Sequence, residues 1–251
     1  SYTLGMALSG FFVYLFGIKV AFILDALMFI VSFWLLYHTD IKVEVIKMNE
    51  SFFKMMGDTF RYLKQFPHAL HLMLVHTFVG LTAFDALVVL VVDEYYAGII
   101  ATSLAIGLLH ASRALGLVIG PILLGKWINN KRITYLFLFQ AIAVLIWASL
   151  MQNFYLSLLA SVGVGLFTTT LWSYTYTLLQ KNIEEKYYGR IVAYNDMLFL
   201  GMAAFVSFMI GYLRANNISL EVIAIMMAVG FIIGGMYYSW VLKTQNIKEI
   251  L

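Results

Sequence analysis

Apolar residues fall along this chain in long unbroken runs, and the charges gather in the short breaks between them. The runs cover residues near 2–17, 18–38, 69–92, 99–124, 133–151, 154–179, 190–212 and 219–242. Each has roughly the 17 to 25 residues needed to cross about 30 Å of hydrocarbon. Lipid offers backbone N–H and C=O groups no partner, so such runs must be helical; membrane strands would instead show about ten residues of alternating polarity. The pattern therefore predicts an all-α fold, a polytopic transmembrane helix bundle with about eight membrane-spanning helices. The longest break, residues 39–68, is itself periodic: Phe52, Phe53, Met56, Phe60 and Leu63 form one stripe, and Lys54, Asp58, Arg61 and Lys64 take the other face. This predicts an amphipathic linker helix lying at the headgroup level, in contact with membrane lipid.

Composition sharpens this picture. The chain is 63% hydrophobic and 12% charged, with a mean hydropathy of +0.89, whereas a soluble domain is about half apolar and a quarter charged. Cysteine is missing, which removes disulfides, thiolate nucleophiles and zinc-thiolate sites, and the net charge of +3 is too small to suggest a nucleic-acid partner. All of the 16 Lys and Arg residues fall in one alternating set of loops except Lys19, Arg113 and Arg214. Basic loops stay cytoplasmic, so both chain ends are expected on the cytoplasmic side of a bacterial inner membrane. The chain begins at Ser1 with no basic leader, and the expectation is that further helices precede it.

Ionisable side chains inside a span cost about 2.5 to 3.5 kcal/mol each and are functional candidates by default. Here they are Asp25, Asp85, His110, Arg113 and Asp196. Asp85 lies 11 residues before a turn near Tyr96 and His110 lies 14 after it, so in antiparallel helices their depths differ by only about 4 to 5 Å. Arg113 follows His110 by one turn on the same face. The three are expected to cluster, facing the bundle interior, either as a proton-coupling or substrate-path site or as an ion pair that fixes packing.

Thr168, Thr169, Thr170, Ser173, Tyr174, Thr175 and Thr177, with Trp172 and Tyr176, make a polar and aromatic stretch of one span. They could line a wet cavity, or their hydroxyls could bond back to the helix's own carbonyls. Gly116 and Gly120, like Gly230 and Gly234, have the spacing of close helix packing, and Pro121 should loosen its helix. His68, His71 and His76 lack metal-site spacing and read as solvated histidines at the membrane interface. No metal, cofactor, nucleotide loop or enzymatic constellation is indicated.

Several segments resemble, in order, the major facilitator superfamily, in the branch of enterobactin exporters and macrolide efflux proteins. LSGFFVYLFGIKVAFILDALMFIVSFWLL, residues 8–36, looks like that family's fifth and sixth helices. MNESFFKMMGDTFRYLKQFP resembles its central linker, and HASRALGLVIGP, residues 110–121, its eighth helix. GKWINNKR resembles its basic loop, with Asn129 and Asn130 where an acidic residue is usual. YYGRIVAYND, with Gly189, Arg190 and Ile191, resembles the signature before the eleventh helix. The resemblance implies a partial family fold, helices five to twelve: residues 1–38 would end the N-terminal bundle, 39–68 would link, and 69–251 would form the six-helix C-terminal bundle. It also implies secondary active export of small amphiphilic molecules of drug, macrolide or siderophore type, by alternating access and coupled to protons. Gly189 and Arg190 would hold the inward end, and the missing N-terminal helices of the same protein would be partners. The alternatives are a non-transporting scaffold or subunit of a larger membrane complex, and a lipid-handling transporter.

Overall fold

A computed structural model describes residues 2–39, 51–245 and 247–248. Lys42, Lys47 and the start of the linker motif, along with the side chains of Phe52 and Phe53, lie outside the described residues. All regular structure among the described residues is helical: α1 (Tyr2–Tyr37), α2 (Phe52–Gln65), α3 (Pro67–Thr77), α4 (Asp85–Tyr95), α5 (Thr102–Leu124), α6 (Ile133–Leu150), α7 (Phe154–Lys181), α8 (Tyr188–Ala215) and α9 (Leu220–Thr244). Seven helical stretches among them are long and apolar enough to cross a membrane, α3 and α4 counting together as one.

That is one fewer than the apolar pattern predicted, because residues 2–17 and 18–38 run together as α1. The predicted boundary is nonetheless visible in the backbone, which leaves helical geometry at Gly17 (φ 80°, ψ 162°). A left-handed φ of this kind suits glycine alone. Unbroken, the 36 residues of α1 would extend about 54 Å, far more than the hydrocarbon thickness. Instead a groove of about 600 Å³ is walled only by α1 residues, among them Ser9, Phe12 and Phe16 before the break and Leu24, Asp25 and Met28 after it. One straight helix is convex and encloses nothing, so the two legs face one another. The first leg packs on α5 where Gly10 meets Gly107; a Cβ on Gly10 would lie 2.6 Å from the Gly107 Cα.

The remaining helices pack around α3–α4, with α5 on α7 and α6 on α9 as the most extensive contacts. Between α5 and α7 the backbones touch. A methyl group on Gly116, Gly120 or Gly165 would collide with the carbonyl oxygens of Val162, Leu166 and Arg113 respectively, which is the close approach that small residues permit in a membrane. α5 continues through Pro121 to Leu124. The core between α3–α4, α6 and α9 is filled by Phe84, Phe137, Trp147, Phe231 and Tyr238.

The two ends of the bundle are chemically distinct. One holds the Lys- and Arg-rich connections and α2. At the other, Arg214 pairs with Glu94 at 2.6 Å, and Glu221 accepts hydrogen bonds from Tyr95 at 2.7 Å and Gln152 at 2.9 Å. The amphipathic helix forms as expected, and one edge of it also contacts protein, which the apolar pattern did not predict. Thr59, Tyr62 and Leu63 are buried against the bundle, while Phe60 is 59% exposed. Tyr62 stacks on Tyr187 with 4.2 Å between ring centroids, and its hydroxyl accepts the Glu184 N–H at 3.1 Å. Burial pushes the Tyr62 phenol above its ordinary pKa, against the pull of that N–H bond. α2 therefore docks on protein through one edge rather than resting on lipid alone.

Candidate functional site

The third long apolar run was expected to be one continuous helix, and it is not. α3 ends at Thr77, a 3-10 turn covers Phe78–Thr82, and α4 starts at Asp85. The sequence over this stretch, FVGLTAFD, carries Gly80, where a Cβ would come within 2.8 Å of the Phe199 carbonyl oxygen and the Met202 side chain on α8. Interrupting a helix inside a bilayer leaves carbonyls with no water to satisfy them, so it is tolerated only where protein groups answer.

Arg113 on α5 answers. Its guanidinium donates to the Thr82 carbonyl at 2.7 Å, sits 4.6 Å from the centre of the Phe84 ring and pairs with Asp85 at 3.4 Å. His110 Nδ1, one turn away on α5, lies 3.7 Å from the same carboxylate. The structure thus brings together Asp85, His110 and Arg113. It corrects their orientation: the side chains of Arg113 and His110 are 15% and 11% exposed, but that of Asp85 is 64% exposed. The cations are fixed in packed surroundings while the carboxylate points away from the core. As the first residue of α4, Asp85 also lies at the positive end of that helix's dipole.

His76, one turn before the break, is another correction. It is not a solvated interface residue but 1% exposed, because α3 starts at Pro67 and carries it about 13 Å into the bundle. Its Nδ1 is 2.8 Å from Thr175 Oγ1, whose own hydrogen goes to the Leu171 carbonyl at 2.8 Å. The imidazole is therefore the donor. Trp172, Tyr176 and Phe199 surround it with ring centroids 5.4 to 5.9 Å away. His68 and His71 are half-buried and bonded to the Asn182 carbonyl and the Tyr237 hydroxyl. A count from Pro67 would have placed His76 below the interface; its partner on α7 had no sequence signal.

On α7 the hydroxyls take the second of their two expected roles. Thr168, Thr170, Thr175 and Thr177 donate to the carbonyls four residues earlier, and the first three are buried in helix packing. Buried Gln140 Oε1 lies 3.3 Å from the same Thr168 hydroxyl and shares its single hydrogen with the Val164 carbonyl. Thr169 and Ser173 are half-buried, and Tyr174 donates to the Gly125 carbonyl at 2.9 Å. The open part of this stretch is aromatic: Trp172 is exposed and stacks on Tyr176, 5.2 Å apart at 12°. Asp196 on α8 is exposed within electrostatic range of the Tyr176 hydroxyl and takes a 3.4 Å bond from buried Asn195.

Asp25 does not join these groups and lines the α1 groove. Gly189 is exposed at the start of α8, and its neighbour Arg190 donates to the Met55 carbonyl at 3.1 Å, tying α8 to α2. Among the described residues no three His, Asp or Glu side chains gather as metal ligands. Comparison with family models, curated proteins and solved structures found no match for this chain.

Proposed function

We propose that this chain belongs to a secondary transporter that exports small amphiphilic molecules by alternating access, coupled to protons. The observation that carries this reading is the interrupted span, with Asp85 exposed at the break beside fixed Arg113 and His110. In membrane transporters, broken helices near the midplane supply binding groups that a continuous helix keeps to itself. A carboxylate held by a fixed cation can exchange that partner for a proton, and such an exchange biases which helix arrangement is favoured. Exposed Trp172, stacked on half-buried Tyr176 with Asp196 nearby on α8, offers aromatic rings on which an amphiphile could lay its apolar part. The resemblance to major facilitator exporters supports the same reading. The gathering of basic loops at one end supports an orientation in a bacterial inner membrane with that end toward the cytoplasm.

The test is flux. Full-length protein in inverted vesicles is given an imposed proton gradient and a panel of dyes, macrolides and siderophores. Gradient-driven uptake that disappears in Asp85→Asn is the expected result. Uptake that survives the substitution removes Asp85 from the coupling role. No gradient-driven movement of any compound overturns the transport reading in favour of a membrane scaffold.

A further inference from the structure

The turn between α5 and α6, residues 125–132, takes no part in the clusters at the helix break. It encloses a cavity of about 390 Å³ walled by residues 126–132, a volume typical of small-molecule sites. Three of those seven residues are cations, Lys126, Lys131 and Arg132, and none is acidic. Along the chain no Asp or Glu occurs between Glu94 and Glu184, and among the described residues no ion pair involves any of the three.

The turn is held rigidly by groups that bring no charge. Ile128 is buried as its anchor. Asn129 Oδ1 accepts the Arg132 N–H at 3.1 Å, Asn130 Nδ2 donates to the Lys248 carbonyl at 3.2 Å, and the Tyr238 hydroxyl donates to the Asn130 carbonyl at 2.8 Å. The Arg132 guanidinium donates to the Trp127 carbonyl and lies 5.1 Å over the Trp127 ring, with further N–H groups left for an anion. Asparagines thus do the structural work at positions where a carboxylate would have neutralised the site.

Its depth identifies the ligand. The apolar run of α5 ends at Leu124 and α6 starts at Ile133, so the turn sits at the level of lipid headgroups. Trp127 and exposed Tyr135 mark that level as interfacial aromatic residues do. Exposed Ile122 and Leu123 continue from it along the lipid side of α5. We infer that this turn binds the phosphate of an anionic phospholipid of phosphatidylglycerol type, with the acyl chains running down α5. A preorganised site loses little entropy on binding, and each basic residue near an anionic headgroup contributes roughly a fivefold gain in affinity.

The experiment places full-length protein in phosphatidylcholine nanodiscs containing graded phosphatidylglycerol and counts retained lipids by native mass spectrometry. Lys126→Gln/Lys131→Gln should lower phosphatidylglycerol retention about thirtyfold, leaving phosphatidylcholine retention and the thermal midpoint unchanged, since both side chains are exposed. Lys19→Gln, at the opposite end of the bundle, should change retention little. Inorganic phosphate should not displace the lipid. Retention unchanged in the double variant overturns the site; displacement by inorganic phosphate at matched concentration makes it a free-anion site instead.

Discussion

Replacing Arg113 by methionine separates the role of this residue in folding from that of Asp85 in function. The lost bond to the Thr82 carbonyl, 2.7 Å long, is charge-assisted and contributes about 1.5 to 3 kcal/mol. The stacking on Phe84 at 4.6 Å adds about 0.5 to 1 kcal/mol. The ion pair with Asp85 counts for less than about 1 kcal/mol, because that carboxylate is 64% exposed. Methionine keeps an unbranched apolar stem and offers a sulfur contact to Phe84, recovering part of the packing. The net expectation is a destabilisation of about 2 to 4 kcal/mol. Arg113→Lys keeps the charge but loses the planar fork, and should fall between methionine and wild type. Asp85→Asn should cost under about 1 kcal/mol. Thermal unfolding in detergent reads these differences, and Trp147, 5.7 Å from the Phe84 ring, gives a local fluorescence signal. A variant Arg113→Met within about 0.5 kcal/mol of wild type would refute the claim that Arg113 satisfies the break. Equal losses in Arg113→Met and Asp85→Asn would refute the division of roles.

Two glycines on one helix provide a paired prediction. Gly165→Ala drives a methyl group into the Arg113 carbonyl and should cost at least about 3 kcal/mol or prevent folding, whereas Gly163, with nothing within 4 Å of its Cβ position, should accept alanine with a gain of about 0.5 to 1 kcal/mol; thermal midpoints of both variants check it. The docking of α2 should weaken in alkali. With the pKa of Tyr62 raised by burial, its contribution is complete below about pH 10 and lost as pH rises through the folded value. Limited proteolysis across α2 should therefore accelerate above about pH 10, and Tyr62→Phe should remove that dependence while costing about 1 kcal/mol for the bond to the Glu184 N–H.

Much of the architecture could be read from the chain because it depends on local properties. The length of an apolar run decides whether it can span, and a glycine between two such runs, Gly17, marks where the backbone can leave helical geometry. Counting residues from a tight turn at 1.5 Å each was enough to bring Asp85, His110 and Arg113 to one depth. The break over residues 78–84 could not be read in the same way. Its apolar residues continue the hydrophobic run, and what makes an interruption tolerable is a guanidinium from another helix.

The same distinction holds through the rest of the molecule. Sequence alone determined that the chain is a multi-pass helical membrane protein with most of its Lys and Arg residues in one set of loops, because transfer into lipid acts on each segment separately. Tertiary structure decided which face of α2 is buried, that His76 donates to Thr175 inside the bundle, that the α7 hydroxyls bond back on their own helix, and that Asp85 opens outward while its cations are fixed. Each of these depends on which polar groups find partners when water is excluded, and the partners lie far apart in the chain.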